Sequence, residues 1–201
     1  MIRILIAEDQ DMVRGALAAL LSLEDDIEVV AQVDRGDQVL SAAKQLAPDV
    51  ALLDIEMPGL DGIAAAGALR RAFPGIRVLM LTTFGRPGFL RRAMAAGASG
   101  FLLKDAPAAE LAVAIRRTMA GERVVDPALA AQALSEGESP LSPREQDVLR
   151  ASVDGASVAQ IATRLFLSEG TVRNHLSSAI QKLDARNRTE AARIAEEKGW
   201  L

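Results

Sequence analysis

The chain has 201 residues, half of them hydrophobic and a quarter charged, with a formal net charge of −4 and no cysteine. That length allows one large domain or two small ones, and the lack of cysteine excludes disulfides and thiolate metal sites. No apolar run nears the roughly 18 residues needed to span a membrane, and the N-terminus starts in a strand pattern without a signal-peptide layout. A cytoplasmic protein with no direct membrane insertion is therefore expected. Charge is uneven: residues 142–201 carry 9 Lys+Arg against 8 Asp+Glu, and the remainder 14 against 19. The acidic portion does not suit a nucleic-acid surface, and the mildly basic C-terminal portion supports one only weakly.

In chain order, β-type runs are expected at Arg3–Ala7, Ile27–Ala31, Val50–Asp54, Arg77–Thr82 and Gly100–Leu103. Helical patterns fall between and after them, at Asp11–Ser22, Arg35–Leu46, Asp61–Arg71, Pro87–Ala95 and Pro107–Ala120. The third and fourth strands are nearly unbroken apolar runs, as in parallel strands covered on both faces. Such alternation predicts βαβ units and a five-stranded, doubly wound parallel sheet, an α/β domain over residues 1–121. Residues 122–140 read as a linker, with a short helix at Pro127–Leu134 and linker composition from Ser135 to Pro140.

Residues 141–201 read as an all-α unit of four helices. Ser142-Pro143-Arg144-Glu145, Ser157-Val158-Ala159-Gln160 and Asn187-Arg188-Thr189-Glu190 are helix starts, and Ser168 opens the remaining helix. The tight turn between the second and third helices predicts a helix-turn-helix.

Four strand ends carry the chemistry. The first run is followed by Glu8-Asp9, the third closes on Asp54, the fourth on Thr82, and the fifth is followed by Lys104. In an open parallel sheet, ligands bind outside the carboxyl ends of the strands. Acids, a hydroxyl and a lysine there suit a hard cation and a phosphoryl group: Asp54 as nucleophile, Glu8 and Asp9 as charge beside Mg²⁺, Lys104 and Thr82 on phosphoryl oxygens. Taken singly, each residue reads as an ordinary turn, cap or surface group.

The joint pattern resembles the receiver domain of bacterial response regulators, a flavodoxin-like fold, over residues 1 to about 120. That resemblance implies that Asp54 accepts phosphate from the phosphohistidine of a sensor histidine kinase. It implies direct Mg²⁺ ligation by Asp9, Asp54 and the backbone carbonyl of Glu56, with Glu8 acting through water. Thr82 and Phe101 fall at the family's switch positions, although Phe101 reads equally as a core phenylalanine. Glu56 and Phe84 fall where water attack on the phosphate is tuned. Phosphorylation is expected to give a homodimer through the first and fifth helices, around Leu17, Leu21, Leu111 and Ile115.

Leu141-Ser142-Pro143-Arg144-Glu145, Gln160-Ile161-Ala162 and Leu167-Ser168-Glu169-Gly170-Thr171-Val172-Arg173-Asn174-His175 resemble the NarL/FixJ (LuxR-type) DNA-binding domain. The resemblance implies double-stranded promoter DNA as partner and Ser168–Leu183 as recognition helix. Val172, Leu176, Ala179, Ile180 and Leu183 recur at core spacing. Arg173, Asn174 and Ser177 point elsewhere, with Arg173 and Asn174 fit to read bases, while Ser168, Thr171 and Lys182 suit phosphates. Asp54-Ile55-Glu56-Met57-Pro58-Gly59, Arg86-Pro87-Gly88-Phe89 and Glu197-Lys198-Gly199-Trp200 further resemble a Gram-positive subfamily that regulates lipid desaturation with a membrane thermosensor kinase. A phosphatase using an aspartyl-phosphate is the enzyme alternative. It would need Asp and then Thr or Val where Glu56 and Pro58 stand. A stand-alone receiver is opposed by the C-terminal signature.

Overall fold

Short apolar runs rich in Ile, Leu and Val form a central sheet, and the longer amphipathic stretches between them coil into helices on its two faces. In the computed structural model, residues 1–83, 87–104, 108–127, 129–131 and 139–201 are described, the side chains of Pro87 and Ala108 excepted. The elements of the first unit are β1 (Ile2–Ala7), α1 (Asp11–Leu21), β2 (Ile27–Val33), a 3₁₀ turn (Gly36–Gln38), α2 (Val39–Leu46), β3 (Val50–Asp54), α3 (Gly62–Ala72), β4 (Arg77–Thr82), α4 (Pro87–Ala95), β5 (Gly100–Leu103), α5 (Ala108–Met119) and β6 (Val124–Val125). Those of the second are α6 (Pro143–Arg150), α7 (Val158–Leu165), α8 (Glu169–Lys182) and α9 (Arg188–Glu197). The first unit comprises Met1–Gly85 and Phe89–Ala130, and the second holds Ala131–Leu201.

The sheet order is β2-β1-β3-β4-β5-β6 and every pair is parallel. The chain moves outward from β1 to β2, then restarts at β3 on the other side of β1. A crevice therefore opens between the carboxyl ends of β1 and β3. Along one face Ile4, Ile6, Val50, Leu52, Leu79 and Leu81 pack with Leu21 of α1 and Leu111, Ala112 and Ile115 of α5. The alternate residues Leu5, Leu53, Met80 and Phe101 are fully buried, on the face where α2 packs against β1 and α3 against β3 and β4.

The sheet has six strands, against the five expected. The sixth is a two-residue strand whose Val124 and Val125 pair with Gly100 and Phe101. Two residues show no periodicity, so only the pairing reveals it. Helix α2 starts at Val39 rather than Arg35, because Gly36 is tied into the loop after β3. Its N–H donates to Pro58 O at 3.2 Å, and a Cβ there would lie 1.8 Å from Leu60 O. Of the expected helix at Pro127–Leu134, Pro127 and residues 129–131 are helical; its remaining residues, most of the linker stretch from Ser135, and Phe84 fall outside the described residues.

In the second unit, Leu141, Val148, Leu149, Ile161, Val172, Leu176, Ala179, Leu183, Ala191 and Ala195 form one buried core. Helix α8 packs against α6, α7 and α9. Ser142 and Ser157 close complete capping boxes with Glu145 and Gln160. The third box is only half formed: Asn187 accepts from Glu190 N at 2.9 Å, whereas Glu190 turns back to Arg186 N at 2.7 Å.

Candidate acidic metal site and nucleic-acid interface

β1 and β3 run side by side, with Ala7 paired to Leu53. The residues that follow each strand therefore emerge together. Glu8, Asp9 and Asp54 meet there, each offering a carboxylate oxygen within 4.8 Å of the others. Glu8 and Asp54 are buried and Asp9 is exposed, so the group opens to solvent on one side. An all-oxygen donor set of this charge fits a hard divalent cation. Helix α3 helps to shape the floor. A Cβ at Gly62 would fall 1.8 Å from Asp54 O, so only glycine lets the helix start this close to the strand end. Asp61 caps that helix by accepting from Ala64 N at 2.7 Å.

Lys104 arrives from the end of β5 and bridges the buried acids, its Nζ 2.7 Å from Glu8 Oε2 and 3.0 Å from Asp54 Oδ1. Burial pushes the Asp54 carboxyl up, and the Lys104 ammonium and the Ile55 N–H offset this only in part. Glu8 is likewise pushed up by burial and by the neighbouring Asp54 charge, against the pull of Lys104. Burial acts to lower the Lys104 ammonium, but its hydrogen bonds to both acids leave it above the usual lysine value. Asp54 Oδ1 also accepts from Ile55 N at 2.8 Å, and Oδ2 makes no hydrogen bond among the described residues. Glu8 is held from behind, its carbonyl accepting from Arg14 Nη1 at 2.6 Å.

The remaining expected residues take separate places. Thr82 is buried at the end of β4, and its carbonyl accepts from Lys104 N at 2.8 Å. Phe101 is fully buried in β5, and register puts it on the same sheet face as Met80 and Thr82. Glu56 lies in the bend after β3 with an exposed side chain. The dimer expectation needs correction: Leu21, Leu111 and Ile115 are core residues packed on the sheet, and Leu17 is half-buried against them. The exposed apolar groups of α1 and α5 are instead Met12, Leu20, Val113 and Met119.

On α8, Arg173, Asn174 and Ser177 are exposed, while Val172, Leu176 and Ala179 face the core. Arg173 Nη2 bonds Glu169 Oε2 at 2.6 Å. Ser168 and Thr171 engage each other: Ser168 Oγ accepts from Thr171 N at 3.1 Å and lies 2.8 Å from Thr171 Oγ1. Lys182 differs most from expectation, since its Nζ is committed to the buried Glu145, at 2.7 Å from Oε2. Ser178 Oγ donates to the other oxygen of Glu145 at 2.6 Å.

Residues 4–116 match the model of the response regulator receiver domain, and residues 139–195 that of the luxR family of bacterial regulatory proteins. The transcriptional regulatory proteins YvfU and DesR of Bacillus subtilis are 49% and 47% identical to it, each comparison covering the whole of both chains. The chain belongs to the response regulators. It is a transcriptional regulator of the receiver-plus-luxR class. A structure of two RcsB dimers bound to two parallel DNAs superposes with a TM-score of 0.69 at 25% identity, covering 98% of each chain.

Two features of this response regulator escaped the sequence reading. Glu145 serves both the capping box of α6 and the clamp on α8; its place at the third helical position signalled only the first role. Phe166, in the turn between α7 and α8, has φ 54° and is 95% exposed. A left-handed aromatic residue is uncommon, and periodicity gives no sign of it.

Proposed function

We propose that this response regulator controls transcription through phosphorylation of Asp54, with residues 1–121 as receiver, 122–140 as linker and 141–201 as DNA-binding domain. One observation carries the reading: Asp54 shares the β1/β3 crevice with Glu8, Asp9 and Lys104. Mg²⁺, held by Asp9, Asp54 and the Glu56 carbonyl, would neutralise charge as an anionic phosphoryl group approaches a carboxylate. Oδ2 is the attacking oxygen, because Ile55 N–H and Lys104 occupy Oδ1. The O–P bond forms as the N–P bond of a kinase phosphohistidine breaks, and the electron pair leaves with the imidazole nitrogen. Lys104 then pairs with a phosphoryl oxygen, and Thr82 donates to another. Loss of Lys104 from its acid partners and the movement of Thr82 and Phe101 carry the signal onward.

The phosphorylated protein dimerises and places α8 in the major groove of promoter DNA, with Arg173, Asn174 and Ser177 toward the bases. The RcsB–DNA likeness supports this arrangement. Acting on DNA places the protein in the cytoplasm. Similarity to YvfU and DesR is nearly equal, so the resemblance to lipid-desaturation regulators does not select the target genes.

Intact-mass measurement after treatment with acetyl phosphate or phosphoramidate is the test. Wild type should gain one phosphoryl group, and EDTA or Asp54→Ala should abolish the gain. Labelling that survives either change removes Asp54 or the metal from the reading.

A further inference from the structure

At the opposite end of the sheet from Asp54 lies a polar cleft of ≈150 Å³, lined by Arg70, Arg77, Ser99, Thr118, Glu122 and Arg123 among others. Arg77 opens β4, Ser99 precedes β5 and Arg123 precedes β6, so three neighbouring strand starts deliver their side chains to one place. Arg70 comes from the last turn of α3 and Thr118 from the last turn of α5. Thr82, at the far end of β4, is about 16 Å away at ~3.3 Å per residue, so this is not the Asp54 crevice.

We propose that this cleft binds a phosphate-class oxyanion. Most of its donors lack acceptors among the described residues. Neither Arg77 nor Arg123 makes a side-chain hydrogen bond or ion pair among the described residues. Ser99 Oγ is equally without a partner there. Thr118 is fully buried, and its Oγ1 has no hydrogen-bond partner among the described residues. A helical threonine ordinarily bonds back to a carbonyl one turn earlier, and a buried polar atom left unmade calls for an explanation.

The one acid in the lining pairs with an arginine outside it, Glu122 Oε2 accepting from Arg117 Nε at 2.7 Å. Arg70 is partly accounted for as a helix-end residue, with Nη1 donating to Pro74 O at 3.2 Å. That explanation does not extend to Arg77 and Arg123. Two planar guanidinium forks, which only donate, and two hydroxyls, which can donate, suit tetrahedral oxygens. The volume suits a group of several heavy atoms, above the ~30 Å³ share of one water.

The test is a calorimetric and amide-NMR titration of the full chain with inorganic phosphate. It is run in EDTA, at ionic strength held constant with chloride. Saturable binding should appear, with shifts concentrated at Arg77, Ser99 and Gly121–Val124. Arg77→Gln and Arg123→Gln should each weaken it about tenfold, and Asp54→Asn should leave it unchanged. Thr118→Val, which removes only the hydroxyl, should weaken binding while the chain stays folded by circular dichroism. A second arm with AMP separates the sources: tighter binding assigns the site to a phosphorylated metabolite, weaker binding to free phosphate. A response reproduced by chloride, or wild-type affinity in Arg77→Gln/Arg123→Gln or in Thr118→Val, overturns the proposal.

Discussion

Asp54 sits in a site that stores unfavourable charge. Two further carboxylates, Glu8 and Asp9, meet it, and Lys104 is the one cation bonded to this group among the described residues. Like charges at this separation destabilise the folded chain until a cation joins them. Asp54→Asn should therefore raise the melting temperature in EDTA, by about 1 kcal/mol of stability. Added Mg²⁺ should stabilise wild type and do little for the variant. A variant that melts lower than wild type in EDTA would show that the Lys104 pair outweighs the repulsion. A second residue-scale prediction concerns α8. Arg173 is held by Glu169, whereas Asn174 is exposed with no side-chain hydrogen bond among the described residues. Asn174→Ala should relax base preference by roughly 1–3 kcal/mol at one position per half-site. Binding-site selection reads this out, and a preserved preferred sequence with merely lower affinity would make Asn174 a backbone contact.

Helix α8 is held among α6, α7 and α9, and Glu145 is its joint to α6. Burial acts to raise its carboxyl, but Lys182, Ser178 and Ser142 together hold it at about 2, below its ordinary 4.5. A carboxylate lowered in the native state adds stability above its unfolded value, and that stability is lost as pH falls through the native one. Glu145→Gln should cost about 1–2 kcal/mol at pH 7, after discount for the 39% exposed Lys182 side chain. The difference from wild type should shrink between pH 4.5 and 2 in urea melts; a pH-independent difference would remove charge from the explanation. Lys182→Met belongs to the same clamp. It should lower stability by about 1–3 kcal/mol, because Glu145 loses its cation while still buried. It should also weaken binding to every DNA sequence alike. A DNA-phosphate role alone would leave the melting temperature where it was.

For the whole molecule, the charge distribution makes assembly matter. Residues 142–201 exceed neutrality by one positive charge, so non-specific attraction from one copy is modest and pairing must supply much of the specific affinity. Exposed apolar groups on α1 and α5, with Met12 86% and Val113 50% exposed, are where that pairing is expected. Light scattering should show monomer giving way to dimer on phosphorylation. Leu20→Asp or Val113→Asp should block the shift without reducing phosphate uptake at Asp54. An unchanged monomer–dimer balance in both variants would move the interface elsewhere.

Much of this molecule is written in local pattern. The βα alternation, the strand-end acids and Lys104, the helix caps and the core stripe Val172–Leu176–Ala179–Leu183 follow from period, capping chemistry and spacing, which are short-range properties. The tertiary structure alone decided the rest, because those features depend on groups far apart in sequence. The two-residue β6 exists only by pairing with β5. Lys182 looked like a phosphate anchor until Glu145, 37 residues away, was found to bind it. Leu21, Leu111 and Ile115 could have faced a partner or the sheet, and only packing chose the sheet. The arginine cleft likewise joins five elements, and its basic residues, read singly, are an ordinary helix end and ordinary strand starts. Sequence gives each side chain its chemistry and local direction; which distant group meets it depends on how the elements pack.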